Sequence, residues 1–247
     1  MASSEYDYII VGAGCWGAST ALALKRWQPG LRILMFDGIH TRTASQDINK
    51  IVHSTYPVSE YAELAEEAQH LWKEDPYRQF YHECGWIRVL NESSPVDLRG
   101  KNDKVISLEG MQKVVGSEEK PQLDPGEQIW HNPDVGYVDS DQALKAVLAT
   151  ARVQIVQGNV TKLIVEDEVC VGVEVGDDIY RAKKTIVAAG PWINGLLRSS
   201  RVPFRDNFFT IYGVPVATMR LTDKEFEALK SMPILATENG KPIHSNW

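Results

Sequence analysis

The sequence predicts an α/β fold in which an early strand, a tight glycine-rich turn and a helix lead into a second strand. Three features support this fold class: an apolar run at residues 8–11, a GxGxxG motif at residues 12–17, and a second apolar run at residues 31–36 that ends in Asp37. Small and apolar residues recur at helical spacing between the two runs. This order of elements is typical of a Rossmann-type dinucleotide-binding domain.

Each glycine of the motif has a physical role in such a domain. Gly12 permits the tight turn, Gly14 lets a phosphate approach the backbone, and Gly17 lets the helix pack closely on the strand. The helix N-terminus offers unpaired N–H groups and the positive end of its dipole to a pyrophosphate. Asp37 is suited to accept hydrogen bonds from ribose hydroxyls. The alternative is a glycine-rich turn without a ligand, and the motif alone does not separate FAD from NAD.

Composition restricts the kinds of protein that this chain can be. Its 247 residues suffice for one large domain or two small ones, and its net charge of −7 gives no indication of nucleic acid or an anionic membrane as partner. The three cysteines form no CxxC pair, which argues against a disulfide or a zinc site. The sequence shows no apolar run of the ~18 residues that a membrane span needs, no secretory signal and no SKL-type ending. We therefore expect an intracellular protein without a metal.

Further elements are predicted from periodicity and turn residues. Helices are expected at residues 59–74, 108–114, 140–151, 193–197 and 222–230. Strands are expected at residues 85–90, 153–156, 160–166, 169–175, 179–181, 186–189, 208–221 and 234–237. The four short strands between residues 153 and 181 predict an antiparallel meander. The polar, turn-rich stretch 91–126 indicates where a second domain is inserted.

A polar stretch, residues 38–50, follows Asp37 without a strong period. In a doubly wound fold, loops beyond the carboxyl ends of the strands face the ligand crevice. The side chains of this stretch therefore either contact a cofactor or form a solvated loop, and the pattern leaves both interpretations open.

Three sequence blocks resemble one family of flavoproteins. They are the turn at residues 11–17 with Asp37, the block at residues 45–52 (SQDINKIV), and the apolar strand and turn at residues 186–192 (IVAAGPW). In this order they resemble the FAD-dependent amine oxidases of the glutathione-reductase-like superfamily, in particular the branch of monomeric sarcosine oxidase and the fungal oxidases of fructosyl amino acids, saccharopine and pipecolate. The resemblance covers nearly the whole chain. It implies FAD rather than NAD, because in such flavoproteins a late strand with a small-residue turn returns to the cofactor.

The resemblance implies a glutathione-reductase-like FAD-binding domain of Rossmann type with an inserted α+β substrate domain, incomplete at the C-terminus. We expect residues 1–82 and 137–203 to form the FAD domain, and residues 83–136 and 204–247 to form part of the substrate domain. Members of this branch are longer, and their C-terminal part supplies a cysteine that tethers FAD and a lysine that helps oxygen react. Cys84 and Cys170 do not match the tethering position. We therefore expect a truncated gene model or splice product.

The resemblance also implies a set of residues that contact FAD. The glycine turn would cradle the pyrophosphate, and Asp37 would bind the adenosine ribose. Ser45 and Asn49 would lie along the ribityl or phosphate side, and the backbone of Val160 would meet the adenine. Lys50 would lie against the flavin face. The complete set is Gly12, Gly14, Cys15, Trp16, Gly17, Asp37, Ser45, Asn49, Lys50, Val160, Gly190 and Trp192.

Structural roles stand as alternatives for several of these residues. Trp192 is either a contact of the cofactor or a core aromatic, and Lys50 is either a flavin-side cation or a lysine on a helix surface. Cys15 is expected to be a small packing residue without a redox role.

Lys50 and His53 are the expected catalytic residues. Some relatives carry an arginine at the position of His53 and use it to clamp a substrate carboxylate. The guanidinium group of arginine is rigid, always charged and able to bind a carboxylate with two hydrogen bonds, whereas histidine is only partly charged near neutral pH. Three interpretations follow: the substrate carboxylate is bound more weakly than in those relatives, the substrate is a different one, or His53 has only a structural role. A positive charge beside the reduced flavin favours oxygen reduction. Lys50 is the first candidate for this charge. Arg88 is a second candidate, and its alternative interpretation is a surface arginine.

The expected activity is oxidation of a CH–NH bond in a secondary or N-modified amino acid, of the sarcosine, pipecolate, saccharopine or fructosyl amino acid type. Oxygen would be the acceptor and hydrogen peroxide the product. The protein would be a monomer if complete, located in the cytoplasm or in peroxisomes. Two alternatives stand beside this expectation: a catalytically incompetent FAD-binding remnant, and an NAD(P)-dependent dehydrogenase with the same first motif.

Overall fold

A computed structural model describes residues 6–39, 43–48, 50–91, 100–116, 123–205 and 209–237. Its helices are α1 (Cys15–Trp27), α2 (Ser59–Trp72), α3 (Leu108–Val115), α4 (Ser140–Ala151), α5 (Ile193–Ser199) and α6 (Asp223–Leu229). Its strands are β1 (Tyr6–Val11), β2 (Ile33–Asp37), β3 (Lys50–Val52), β4 (Tyr81–Glu83), β5 (Trp86–Asn91), β6 (Lys104–Ile106), β7 (Glu127–Asn132), β8 (Gly136–Val138), β9 (Gln154–Gln157), β10 (Val160–Glu166), β11 (Val169–Val175), β12 (Asp178–Val187) and β13 (Ile234–Thr237). Short 3₁₀ turns lie at Ala44–Gln46, Arg78–Phe80 and Gly190–Trp192.

The chain divides into two compact units. The first comprises residues 1–48 and 140–216, and the second comprises residues 49–139 and 217–247. The domains expected from the sequence have other boundaries, and the largest difference concerns residues 49–82, which group with the second unit. The reason is strand pairing: β3 and β4 both hydrogen-bond to β8, and the three strands form one sheet of the second unit.

The first unit is built on a six-stranded sheet with the order β10-β11-β12-β1-β2-β9. β1 pairs in parallel with β2 and with β12, and β2 pairs in parallel with β9. Successive residues of β1 point to opposite faces, so Ile9 packs with Phe36 on one face and Ile10 with Met35 on the other. Residues 9–11 of β1 and 33–36 of β2 are buried on both faces, which explains why these parts of the strands are continuously apolar.

Two strand predictions in this unit are wrong in detail. The strand predicted at residues 153–156 as part of the meander is β9 at Gln154–Gln157, which pairs in parallel with β2 at the edge of the sheet. The strands predicted at residues 179–181 and 186–189 are joined in β12. The first part of β12 pairs antiparallel with β11 and the second part pairs in parallel with β1, so one strand passes from the meander into the parallel sheet.

The second unit contains a four-stranded sheet with the order β13-β5-β7-β6 and a three-stranded sheet with the order β3-β8-β4. Ile87 on β5 and Ile129 on β7 form its core together with Met111 of α3. Helix α2, which the sequence predicted, is present over 14 residues. Among the described residues, no helix combines the length and apolar character needed to cross a membrane.

The strand predicted at residues 208–221 is wrong for the part that the structure describes. Residues 209–221 belong to no helix or strand and are exposed, and Phe208 lies outside the described residues. The alternating apolar pattern supplies the residue types of a strand, but a strand also needs a neighbour that pairs with its backbone. The described sheets include no such neighbour.

Ser107 is expected to stabilise the second unit by capping α3. Its Oγ accepts a hydrogen bond of 3.1 Å from the Gly110 N–H, and the helix carries the buried Met111. Ser107→Ala should lower the free energy of unfolding by about 1 kcal/mol, because an N–H of the first turn loses its acceptor. Urea unfolding measures this loss, and Ser107→Asp, which preserves a capping acceptor, should retain most of the stability. Equal losses in both variants would contradict the capping role.

Candidate cofactor site

A cleft of about 650 Å³ lies in the first unit at the carboxyl ends of the parallel strands β1 and β2. Several chain segments line it: the turn after β1, the end of β2, the 3₁₀ turn at residues 44–46, the β9–β10 turn, and the turn after β12. Its volume lies within the range of roughly 300–1,000 Å³ that is usual for small-molecule and cofactor sites. In open α/β sheets this end of the strands is the usual place for a ligand.

The glycine turn shows why its residue types are required. Gly12 has φ +105°, and a Cβ there would lie 2.3 Å from the carbonyl oxygen of Ala188. A Cβ on Gly17 would lie 1.9 Å from the carbonyl oxygen of Gly12. Gly14 has an ordinary conformation, with φ −70°, but a Cβ there would lie 3.0 Å from Ser45 Oγ. Gly12 and Gly17 thus hold the turn together, while Gly14 keeps the cleft side of the backbone open.

The N-terminus of α1 faces this opening. The helix begins at Cys15, its first turn contains no acidic residue, and Cys15 and Trp16 both line the cleft. The Cys15 N–H donates a hydrogen bond of 2.9 Å to Ser45 Oγ, which ties the 3₁₀ turn to the helix end. Trp16 is 80% exposed. The site therefore presents the positive end of a helix dipole without a competing carboxylate, which suits a phosphate.

The opposite side of the cleft is built around Asp37, at the end of β2. Gln157 Nε2 donates to Asp37 Oδ2 at 3.4 Å, and the Gly158 N–H donates to the Asp37 carbonyl oxygen at 2.8 Å. Asn159 Oδ1 accepts from the Ile39 N–H at 3.0 Å. The sequence pattern did not link Gln157 and Asn159 to Asp37, because the preceding strand has the composition of a meander strand.

The third side is the turn after β12. Gly190 has φ +53°, which favours glycine, and opens the 3₁₀ turn that contains Trp192. Trp192 lines the cleft and is 43% exposed, which does not fit a core aromatic. The backbone donors, the small-residue turns and the acid on the ribose side together fit the chemistry of an adenine dinucleotide.

The structure brings most of the expected FAD contacts to this one cleft. Gly17 packs beneath the turn, Asn49 lies outside the described residues, and Lys50 belongs to the second unit. The contact of each residue with FAD stays a prediction. Those that line the cleft are Gly12, Gly14, Cys15, Trp16, Asp37, Ser45, Val160, Gly190 and Trp192.

The expected catalytic residues Lys50 and His53 both lie in the second unit. Lys50 is the first residue of β3 and pairs with Val138, so it is a strand residue and not a helix-surface lysine. His53 follows the same strand and stacks on Tyr56, with ring centroids 4.8 Å apart, and it also contacts Trp86. Their catalytic roles stay predictions.

Burial lowers the pKa of His53, and the positive charge of Arg88 lowers it further, while Asp103 opposes the shift. The imidazole is therefore neutral near pH 7 and carries no fixed charge.

Arg88, the second candidate cation, is neither a surface residue nor an uncompensated charge. It lies on the central strand β5, is 4% exposed, and forms an ion pair with Asp103. Asp103 Oδ1 also accepts from Asn132 Nδ2 at 2.8 Å, and Asp103 Oδ2 accepts from the Gly100 N–H at 2.7 Å. The guanidinium carbon lies 4.6 Å from the centroid of the Trp86 ring. This network compensates the charge of Arg88.

The lowered pKa of His53 predicts a loss of stability in mild acid. In the unfolded chain His53 takes up a proton near its ordinary pKa of 6.5, whereas the folded chain binds that proton only at lower pH. The free energy of unfolding should therefore be highest above pH 6.5, the ordinary pKa of the unfolded chain. It should fall as the pH is lowered from there toward the pKa of the folded chain. His131, whose pKa is also lowered chiefly by burial, acts in the same direction.

Urea unfolding at pH values of about 7.5 and about 5.5 measures this dependence. His53→Asn should lose less stability between the two pH values than the wild type. An identical loss in both proteins would contradict the assignment to His53.

A protein-family model described as DAO, FAD dependent oxidoreductase, matches residues 7–244. The chain is 29% identical to L-saccharopine oxidase of Schizosaccharomyces pombe, over 92% of this chain and 59% of that enzyme. It is 27% identical to peroxisomal sarcosine oxidase of Homo sapiens, over 78% of this chain and 52% of that enzyme. The chain thus spans less than two thirds of the length of either relative.

Solved structures show the same similarity. The crystal structure of the deglycating enzyme fructosamine oxidase (amadoriase II) from Aspergillus fumigatus has a TM-score of 0.72 and 25% identity, over 96% of this chain and 57% of that one. These matches confirm the α/β FAD-binding fold and the resemblance inferred from the three sequence blocks. The chain belongs to the DAO family of FAD-dependent oxidoreductases.

Proposed function

We propose that this chain holds FAD in the cleft of its first unit and belongs to an oxidase that acts on the CH–NH bond of a secondary or N-modified amino acid. Oxygen is the electron acceptor and hydrogen peroxide the product. The observation that carries the proposal is the cleft itself, in which the glycine turn, Asp37, Ser45 and the turn at Gly190 meet at the carboxyl ends of the parallel strands. The family match favours FAD over a nicotinamide cofactor.

In this proposal each side of the cleft contacts a different part of FAD. The N–H groups at the start of α1 bind the pyrophosphate, with Gly14 leaving room for its approach. Asp37 accepts hydrogen bonds from the adenosine ribose, and Val160 meets the adenine. Trp192 packs against the cofactor at the turn after β12.

When bound in this cleft, FAD would supply the acceptor for the hydride equivalent that leaves the carbon beside the substrate amine. Lys50 is the first candidate for the positive charge that favours the negative charge developing when oxygen is reduced. His53 is the second candidate catalytic residue, and as a neutral imidazole it can offer a substrate a hydrogen bond but not a fixed charge. Because Arg88 is paired with Asp103, a substrate carboxylate requires a cation other than Arg88.

The substrate class rests on the named relatives, which act on saccharopine, sarcosine and fructosamine. We include pipecolate and fructosyl amino acids among the substrates to be tested. The relative named peroxisomal sarcosine oxidase supports a location in peroxisomes, with the cytoplasm as the other expected compartment. We expect the complete protein to act as a monomer.

Purified protein provides the test. Retention of a yellow cofactor, or uptake of added FAD, is the first expected result, and peroxide release with saccharopine, sarcosine, pipecolate or a fructosyl amino acid is the second. Protein that takes up no FAD would overturn the proposed site.

A catalytically incompetent FAD-binding protein is the second candidate function. The chain spans 59% of the length of L-saccharopine oxidase and 57% of that of amadoriase II. Bound FAD without turnover of any of these substrates would support it over the oxidase. Reduction of the bound flavin by one of these amines under anaerobic conditions would support the oxidase.

A further inference from the structure

Three hydrogen bonds join the end of β9 and the β9–β10 turn to the end of β2 and the loop after it. They are the contacts from Gln157 to Asp37 Oδ2 (3.4 Å), from the Gly158 N–H to the Asp37 carbonyl (2.8 Å), and from the Ile39 N–H to Asn159 Oδ1 (3.0 Å). Asp37 and Gln157 are the last paired residues of β2 and β9, and the bonds of Gly158 and Asn159 extend this contact past the end of β9. Two of these three hydrogen bonds involve side chains, so this contact between the two segments depends on the identity of Gln157 and Asn159.

The turn itself is held firmly against the sheet. Gly158 is buried, and a Cβ there would lie 2.8 Å from Val175 Cγ1 of β11. Asn159 lies in this turn and lines the cleft beside Val160, and Gln157 is the last residue of the edge strand β9; both residues are exposed. The packed turn and the strand end that precedes it therefore carry the two side chains that contact Ile39 and Asp37.

Contacts of this kind affect how well a carboxylate can bind a diol. A donor on Oδ2 restricts rotation of the carboxylate, and a clamp two residues later restricts the backbone that carries it. A carboxylate held in this way loses less conformational freedom when ribose hydroxyls bind, so more of the hydrogen-bond energy contributes to affinity.

We infer that Asn159 and Gln157 are positioning residues that hold Asp37 for the adenosine ribose of the cofactor. The inference rests on the proposed FAD site. Asn159 fixes the loop through Ile39, and Gln157 orients the carboxylate; neither residue is required to touch the ribose. The edge strand β9 thereby has a function in cofactor recognition beyond completing the sheet.

A purely structural role would have a different consequence. If the two side chains only anchor a loop, their loss would weaken binding of every cofactor analogue to the same extent. If they position Asp37, their loss matters only when the ligand carries the ribose hydroxyls that Asp37 binds. An FAD analogue that lacks both hydroxyls of the adenosine ribose separates these outcomes.

The experiment measures dissociation constants of FAD and of this analogue by flavin fluorescence titration. Asn159→Leu and Gln157→Leu should each weaken FAD about fivefold to tenfold, the effect of losing roughly one hydrogen bond. Each variant should bind the analogue as tightly as the wild type does. Gln154→Leu, an exposed glutamine on the same strand, is the matched control and should change neither constant.

Equal weakening for both ligands, or unchanged FAD affinity in both variants, would overturn the inference. Because Gln157 is exposed, Gln157→Leu keeps the test valid if Asn159→Leu does not fold. Wild-type protein that binds no FAD would instead overturn the proposed function.

Discussion

Gly14→Val is expected to abolish FAD binding while the first unit stays folded. Gly14 has φ −70° and ψ −174°, a conformation that valine also adopts. The new side chain would start 3.0 Å from Ser45 Oγ and branch into the approach to the N-terminus of α1. If two hydrogen bonds to the pyrophosphate are lost, at roughly 1.5–3 kcal/mol each, the dissociation constant should rise by at least about 100-fold.

Isothermal titration with FAD measures this effect, and circular dichroism checks that the variant is folded. Gly30→Val is the matched control, because a Cβ at Gly30 would meet nothing within 4 Å. Gly12 is not suitable for this test, since its positive φ and the 2.3 Å approach of Ala188 would disturb the fold itself. If Gly14→Val binds FAD with wild-type affinity, the pyrophosphate does not lie at this turn.

Arg88→Met is expected to cost the second unit about 3–5 kcal/mol of stability, the usual effect of breaking a buried ion pair by removing one partner. The side chains of Arg88 and Asp103 are only 5% and 1% exposed. Without the guanidinium, Asp103 stays buried as a charge that is held by Asn132 and the Gly100 N–H alone. Urea unfolding, followed by circular dichroism, measures the loss.

Two further variants test the explanation. Arg88→Met combined with Asp103→Asn should be more stable than Arg88→Met alone, because the double variant buries no unpaired charge. Lys101→Met removes one member of an exposed ion pair with Glu66 and should have little effect, since solvent screens such pairs. Similar urea midpoints for Arg88→Met and Lys101→Met would show that the buried pair does not stabilise the unit.

Local sequence predicted those elements whose geometry depends on near neighbours. The turn at residues 12–17 requires glycine for steric reasons that act over a few residues, and α2 and α4 follow from helical periodicity. The same reasoning identified Asp37 at the end of β2. It also recognised the family, because the three sequence blocks occur in a fixed order along the chain.

The pattern of apolar and polar residues did not determine which strands pair with each other. β9 has the composition of a meander strand but pairs in parallel with β2, and residues 209–221 have a strand pattern but pair with no described strand. A strand is completed by hydrogen bonds to residues far along the chain, so its own alternation does not identify its neighbour. For this reason Gln157 and Asn159 were not linked to Asp37.

Residue types at short, fixed spacings were thus enough to predict the glycine turn, the acid that follows it and the family. That the turn at Gly190 and the β9–β10 turn line the same cleft as Gly14, and that Arg88 is buried against Asp103, is visible only in the folded chain. These relations join residues that are distant in the chain, and long-range packing alone brings them together.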